Sequence, residues 1–158
     1  MPCKTRQLQY IDADLFTAPC DVPLAHCVSA DLLMSAGIAV QFTNAFGDKQ
    51  AIRNKVTVHG ARSIDKLTPG TLLVLPTTSR YIYYLVTKPR AGHKPTYKAI
   101  RKSLQLMRKH AETKDIAFIA MPKIACGRDT RNWTMVEAII KTVFANSSIN
   151  IVIHAPST

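Results

Sequence analysis

The stretch Arg80-Tyr81-Ile82-Tyr83-Tyr84-Leu85-Val86-Thr87 decides the class of fold. Its residues are almost all apolar or aromatic, without the alternation of apolar and polar positions that a half-exposed strand shows. Such a run is typical of a central strand that is covered on both faces. A second apolar run, Thr71-Leu72-Leu73-Val74-Leu75, precedes it, and Pro76-Thr77-Thr78-Ser79 predicts the connection between the two.

Beyond this strand, the period changes to that of a helix between Pro95 and Glu112. Pro95 suits the first helical turn, where a missing N–H removes no hydrogen bond. Apolar residues then recur at spacings of three and four, which predicts one apolar stripe along the helix. The stripe consists of Tyr97, Ile100, Leu104, Met107 and Ala111.

The rest of the chain alternates between strands and helices in the same way. Strands are predicted for Gln7 to Asp12, Leu24 to Val28, Ile116 to Met121 and Ile149 to His154. Helices are predicted from Ala36 to Phe46, ending at a Gly47 cap, and after an Asn132 cap with a core face of Val136, Ile139, Ile140 and Val143. The segment from Asp48 to Gly70 is polar and irregular, with a short helix at its start. This order predicts one α/β domain over residues 1–158, a three-layer α/β/α sandwich with a central mixed sheet.

Charge is the unusual bulk property of the chain. It has 21 Lys and Arg against 10 Asp and Glu, a formal net charge of +11. This excess favours polyanionic partners, although a basic surface without a specific partner fits equally well. No apolar run is long enough to span a bilayer, and the start of the chain does not read as a secretory signal. The scattered cysteines predict neither a disulfide framework nor a metal site, so we expect an intracellular protein, nuclear or cytoplasmic.

Three loops follow strands at the edge where α/β sheets bind ligands. Ser35-Ala36-Gly37-Ile38-Ala39 opens a helix, where small residues let a diphosphate approach backbone N–H groups or serve close packing alone. Pro122-Lys123-Ile124-Ala125-Cys126-Gly127-Arg128-Asp129 is a second loop rich in small residues, in which Cys126 is either a nucleophile or, more in keeping with the loop, a small lining residue. The third loop, Thr87-Lys88-Pro89-Arg90, ends the central strand.

Lys88 and Asp129 follow different strands and should reach the same rim of the sheet. A lysine at a strand end acts as a nucleophile when it is desolvated, and otherwise is solvated or binds phosphate. Paired with a carboxylate acid/base, such an amine is able to attack the C1 atom of a sugar. The spacing alone does not establish that the two side chains meet.

Several segments, in order, resemble one family. They are Asp14-Leu15-Phe16, Leu24-Ala25-His26-Cys27-Val28-Ser29, Met34-Ser35-Ala36-Gly37-Ile38-Ala39, Arg80 to Lys88, His93-Lys94-Pro95-Thr96-Tyr97 and Met121 to Asp129. Together they closely resemble the macro domains of the terminal ADP-ribose protein glycohydrolase type, from about residue 8 to residue 154.

The resemblance implies a macro-domain fold and a hydrolase that removes ADP-ribose from acidic side chains of mono-ADP-ribosylated proteins and deacetylates O-acetyl-ADP-ribose. Lys88 would be the nucleophile and Asp129 the general acid/base, with no cofactor and no metal. Asp14 would accept a hydrogen bond from the adenine amino group, beside Leu15, and Ser29 would contact the ligand from its strand end. The remaining implied ligand-binding residues are Ser35, Ala36, Gly37, Ile38, Ala39, Thr87, Pro122, Ile124, Ala125, Cys126, Gly127, Arg128 and His154.

The chain departs from the family pattern at four of these positions or beside them. Ser35 and Ala125 replace glycines, which adds atoms where the ligand approaches closely and restricts the backbone. His154 replaces a tyrosine beside the adenine, and Ala13 replaces a glycine before Asp14. An alternative function therefore stays open, a non-catalytic reader that binds ADP-ribose.

Nucleic-acid binding is a further hypothesis. The predicted helix carries Lys98, Arg101, Lys102, Arg108 and Lys109 outside its apolar stripe, which suits either nucleic acid or a merely solvated face. We expect a monomer with no membrane partner.

Overall fold

The computed structural model describes residues 8–125 and 131–157 of the chain. In this part of the chain seven strands form one sheet, in the order β1-β7-β6-β2-β5-β4-β3. The strands are β1 (Leu8–Ile11), β2 (Leu24–Ser29), β3 (Thr57–His59), β4 (Thr71–Pro76), β5 (Tyr81–Lys88), β6 (Phe118–Met121) and β7 (Asn150–His154). The helices are α1 (Ile38–Phe46), α2 (Lys49–Ile52), α3 (Tyr97–Thr113) and α4 (Trp133–Val143), with 3-10 turns at Leu15–Thr17 and Ile64–Lys66.

The sheet is mixed, as the sequence predicts. The five strands β1, β7, β6, β2 and β5 are parallel, whereas β4 and β3 pair antiparallel with their neighbours. Thr77 and Arg80 close the β4–β5 hairpin, with the Thr77 amide donating to the Arg80 carbonyl at 2.9 Å. Because the five parallel strands point the same way, their carboxyl ends share one edge of the sheet.

Two apolar layers cover the sheet, one on each face. In β4, Leu72 and Val74 pack in the layer that contains α3 and α4, whereas Leu73 and Leu75 pack in the layer that contains Phe42 of α1. Each fully buried leucine side chain contributes roughly 2 kcal/mol relative to an exposed one. The predicted three-layer α/β/α sandwich is therefore confirmed.

The predicted helix caps are confirmed at two of three places. Gly47 ends α1 with φ 109°, and the Asn132 side chain accepts a hydrogen bond from the Thr134 amide at 2.8 Å before α4. The expectation that Pro95 occupies the first turn of α3 is wrong. Thr96 is the N-cap, because its hydroxyl accepts from the Ala99 amide at 3.0 Å, and Pro95 precedes that cap.

The strand β3 lies in the segment that the sequence predicts to be irregular. It has three residues, and it pairs only with β4, Thr57 opposite Val74 and His59 opposite Leu72. The backbone of β4 therefore determines this strand, since so short a segment has no apolar period of its own. No helix in the described residues has the length and apolar character that crossing a membrane requires.

Candidate active site

A cavity of ≈ 380 Å³ opens at the carboxyl edge of the parallel strands, between β2, β5 and the N-terminus of α1. Its volume lies within the range of about 300–1,000 Å³ that is usual for small-molecule sites. Nine residues that the sequence assigns to the site line it. They are Ser29, Ser35, Ala36, Gly37, Ile38, Ala39, Lys88, Pro122 and Ala125.

Lys88 reaches the cavity from the last position of β5. It is half-buried, and it is the register partner of Ser29 at the end of β2. The Ala30 amide donates to the Lys88 carbonyl at 2.8 Å, which ties the two strand ends together. The amine therefore belongs to a residue of a central strand rather than to a residue of a loop.

The loop between β2 and α1 has an unusual backbone. Leu32 and Met34 have φ values of 53° and 47°, and Gly37, the N-cap of α1, has φ 63° and ψ −145°. A left-handed conformation costs a non-glycine residue roughly 1–2 kcal/mol, and the Gly37 conformation suits only glycine. Strained backbone of this kind is concentrated at ligand sites. Helix α1 begins at Ile38, directly after Gly37, and the prediction that it begins at Ala36 is wrong.

Ala125 also has a left-handed backbone, with φ 62°. It is buried, it lines the cavity, and its carbonyl accepts from the Arg131 amide at 2.8 Å. The departure from glycine at this position therefore carries the backbone restriction that we expected. Ser35, the other departure, is not among the described residues with positive φ, so its side chain adds atoms without that strain.

Asp31 lies beside Lys88 and is a residue that the sequence did not single out. Its carboxylate accepts from the Ser29 hydroxyl, from the Leu33 amide at 3.1 Å and from the Ala91 amide at 3.2 Å. Partial burial raises the pKa of Asp31, but the hydrogen bonds and the charge of Lys88 outweigh it, and the net pKa is lowered. A carboxylate stays ionised at neutral pH under these conditions.

His26 lines the cavity, although the sequence analysis assigns it no role in the site. Its ring stacks on Phe42 of α1 with 3.7 Å between ring centroids, and neither ring nitrogen has a hydrogen-bond partner within the described part of the chain. Burial lowers the pKa of His26 to about 3, so the ring is neutral. His26 and Val28 are two residues apart in β2 and therefore share one face of the sheet, and both line the cavity; this alternation was the signal available in the sequence.

The other predicted ligand residues within the described part of the chain lie outside the cavity wall. Asp14 is exposed and caps a 3-10 turn by accepting from the Phe16 amide at 2.8 Å. Leu15, Thr87, Ile124 and His154 are buried, and the His154 ring lies 3.3 Å from the Ala13 carbonyl oxygen. Cys126, Gly127, Arg128 and Asp129 lie outside the described residues.

The described residues contain no group of three or more His, Cys, Asp or Glu side chains arranged to hold a metal ion. Among the described residues, the charged side chains at the cavity itself are Lys88 and Lys123, and Asp31 is hydrogen-bonded to its wall. This arrangement suits an anionic ligand, because two lysine side chains and a helix N-terminus line the cavity.

The family follows from sequence comparison. The Macro domain family matches residues 25–140 of the chain. The bovine (Bos taurus) protein named ADP-ribose glycohydrolase OARD1 is 40% identical over 148 residues, which covers 94% of this chain and 91% of that relative. The chain belongs to the macro domain family.

Solved structures share the same fold. The macrodomain of Mycobacterium tuberculosis DarG superposes with a TM-score of 0.76 at 21% identity, over 98% of this chain and 100% of that one. Thermosipho africanus DarTG in complex with ADP-ribose superposes with a TM-score of 0.69 at 18% identity, over 97% of this chain and 42% of that one. These likenesses show that the sandwich is a macro-domain sandwich.

Proposed function

We propose that this chain is an ADP-ribose hydrolase, which releases ADP-ribose from acidic side chains of mono-ADP-ribosylated proteins. The observation that carries the proposal is the position of Lys88 at the cavity, opposite Ser29 and beside the loop that begins α1. The relative named ADP-ribose glycohydrolase supports the substrate, since 94% of this chain aligns with it. The structural neighbour described as a complex with ADP-ribose supports the ligand.

The cavity suits the parts of ADP-ribose. The diphosphate would lie at the N-terminus of α1, where backbone N–H groups have no helical partner and the helix dipole favours negative charge. The small side chains of Ala36, Gly37 and Ala39 allow that approach. The ribose that carries the ester would then lie towards Lys88.

The chemistry would proceed in two displacements at the ribose C1″ atom. The Lys88 amine attacks C1″, a C–N bond forms, and the C1″–O bond to the modified side chain breaks, so a carboxylate leaves with the bonding electron pair. Water then attacks C1″, the C–N bond breaks, and free ADP-ribose and the amine are regenerated. Asp129, which lies outside the described residues, would be the acid/base that moves the protons. O-acetyl-ADP-ribose would be a second substrate by the same route when its acetyl ester is on the oxygen of C1″, because acetate then leaves with the bonding electron pair.

The test is release of free ADP-ribose from a protein that is modified on glutamate. The same protein modified on arginine is the matched control, because its linkage has no carboxylate leaving group. We expect rapid release from the glutamate conjugate and none from the arginine conjugate. Absence of release from both, with ADP-ribose bound in a separate titration, would contradict the hydrolase.

That outcome would leave the second candidate, a reader that binds ADP-ribose without turnover. The left-handed backbone of Ala125 is the observation that favours it, since alanine restricts the backbone and adds a methyl group at the cavity wall where the family has glycine. A reader would bind ADP-ribose tightly and leave modified protein intact over long incubation.

Nucleic-acid association is a further proposal, and it rests on α3 and the loop before it. Between Pro89 and Ala111 the chain carries no carboxylate. The Arg108 guanidinium donates to the Val143 carbonyl at 2.7 Å and to Glu112 at 3.2 Å, so it braces the fold. The exposed cations of this surface are Arg90, Lys94, Lys98, Arg101, Lys102 and Lys109. Affinity for a DNA or RNA duplex should fall steeply with salt if they contact phosphates, and a flat response would contradict the proposal.

A further inference from the structure

We propose that Asp31 is a positioning residue for Lys88, which braces the strand ends around the amine and supplies a negative charge beside it. The inference rests on the proposed function, because such a role matters only where Lys88 reacts. Neither the sequence pattern nor the macro-domain resemblance pointed to this residue.

The hydrogen bonds of Asp31 reach both sides of Lys88. One carboxylate oxygen accepts from the Ser29 hydroxyl, and Ser29 is the register partner of Lys88 on β2. The other oxygen accepts from the Ala91 amide at 3.2 Å, in the loop that follows Lys88. Ser29, Lys88 and Ala91 all line the cavity. Asp31 therefore joins the two loops between which the amine emerges.

A third hydrogen bond fixes the carboxylate itself. The Leu33 amide donates at 3.1 Å to the oxygen that also accepts from Ser29. An ionised carboxylate accepts several hydrogen bonds and donates none, so three donors on two oxygens define its orientation. This bond belongs to the strained loop, between Leu32 and Met34 with their left-handed backbones. The left-handed residues and the Asp31 carboxylate therefore lie in the same turn.

The charge of Asp31 has opposite consequences for turnover and for binding. A neutral amine that forms a bond to C1″ acquires positive charge on its nitrogen, and a nearby carboxylate stabilises that charge. Because a carboxylate also stabilises a protonated amine before attack, this gain in rate is expressed at a pH where the resting amine is already neutral. The diphosphate of ADP-ribose is anionic, so the same carboxylate contributes nothing favourable to ligand binding. An interaction that is stronger in the transition state than in the bound complex raises the rate without raising affinity. Water screens the effect, because Asp31 is exposed.

A loop brace without an electrostatic role would behave differently. Its removal would loosen the cavity wall and would weaken ADP-ribose binding and turnover together. The separation of rate from affinity therefore distinguishes the two roles.

The experiment measures single-turnover release of ADP-ribose from a glutamate-modified protein, and the Kd for ADP-ribose, for wild type, K88A and D31N. Asp31→Asn keeps the shape and one acceptor but removes the charge. We expect D31N to slow release about tenfold on the high-pH plateau of the rate profile, where the amine is neutral before attack, which is the effect of one charge contact near a surface, with a Kd unchanged or tighter. Asp48→Asn is the control, since Asp48 accepts from the Ala51 amide at 3.0 Å at the start of α2 and is not part of the cavity wall. It should change neither quantity.

The role of Asp31 would be overturned if D31N releases ADP-ribose at the wild-type rate, or if its rate and its affinity fall in the same proportion. The proposed function would still stand in that case, provided that K88A is inactive. A wild type without release would overturn the proposed function and this role with it. Asp31→Glu retains the charge and should keep the rate within about threefold of wild type; a D31E variant as slow as D31N would assign the loss to shape and overturn the inference.

Discussion

Lys88 lies beside Ser29 because the register between β5 and β2 shifts by one residue at their carboxyl ends. Val28 pairs with Val86, but the next residue of β2, Ser29, pairs with Lys88, so Thr87 has no partner on β2. Bulges of this kind bend a strand and redirect a side chain, and they are frequent next to active sites. Without the shift, Thr87 would occupy the position opposite Ser29.

Thr87→Val tests whether the hydroxyl of Thr87, the residue that the register shift leaves without a partner on β2, stabilises the fold. Thr87 is buried, and its hydroxyl has no hydrogen-bond partner within the described residues. Valine has nearly the same shape and removes a buried hydroxyl that has no partner among the described residues, so the free energy of unfolding should stay unchanged or rise, with turnover retained. Urea denaturation measures it.

Ser103→Ala is the matched control for that variant. The Ser103 hydroxyl is buried and lies 3.0 Å from both the Thr71 and the Val86 carbonyl oxygens. Removing it should lower the free energy of unfolding by about 1 kcal/mol. A T87V variant that loses as much as S103A would show that the Thr87 hydroxyl has a partner after all.

Ala125→Gly should stabilise the protein. Ala125 has φ 62°, a conformation that glycine adopts without cost. We expect the free energy of unfolding to rise by roughly 0.5–1 kcal/mol, since the relief of strain exceeds the entropy that glycine adds to the unfolded chain. Calorimetric ADP-ribose titration should also show a tighter Kd, because the cavity wall loses a methyl group.

Ala138→Gly is the control variant, and it should lower the free energy of unfolding. Ala138 lies in the interior of α4, where glycine is less favourable than alanine by about 1 kcal/mol. A loss of stability in both variants would mean that Ala125 is not strained.

Acidification below pH 6.5 should destabilise the fold. Burial lowers the pKa of His26 to about 3, so between these pH values the unfolded chain binds a proton that the folded chain does not. Burial, with help from the neighbouring His59 and Lys114, likewise lowers the pKa of His110 to about 4. As the pH falls through this window, His26 lowers the free energy of unfolding by about 1.4 kcal/mol per pH unit. His110 acts in the same direction with a smaller effect, because it is partly exposed and solvent screens it.

His26→Phe isolates the larger share of this effect. The variant removes the titrating ring but keeps an aromatic side chain against Phe42. Denaturation midpoints measured from pH 7 to pH 4 should fall less steeply for the variant than for wild type. Equal slopes would show that His26 is accessible to protons in the folded state.

The sequence predicted the helices and strands whose hydrophobic pattern is determined by residues close together in the chain. The apolar run around Tyr83 and the stripe of α3 are each determined by neighbouring residues. The start of α1 was predicted two residues too early, because the backbone conformation of Gly37 delays the helix to Ile38. Asp31 could not be predicted in the same way, because its contact with Ala91 joins positions 60 residues apart. The shift at Thr87 was also unpredictable, since it is a relation between two strands and not a property of either.

The measurement that tests the central claim most directly compares wild type and K88A in one assay. Both proteins are incubated with a glutamate-modified protein, free ADP-ribose is followed over time, and ADP-ribose binding is titrated for each. We expect release by wild type, a loss of at least about a thousandfold in K88A, and a Kd in K88A that stays within about tenfold of wild type. A K88A variant that releases ADP-ribose at the wild-type rate would contradict the assignment of Lys88 as the nucleophile.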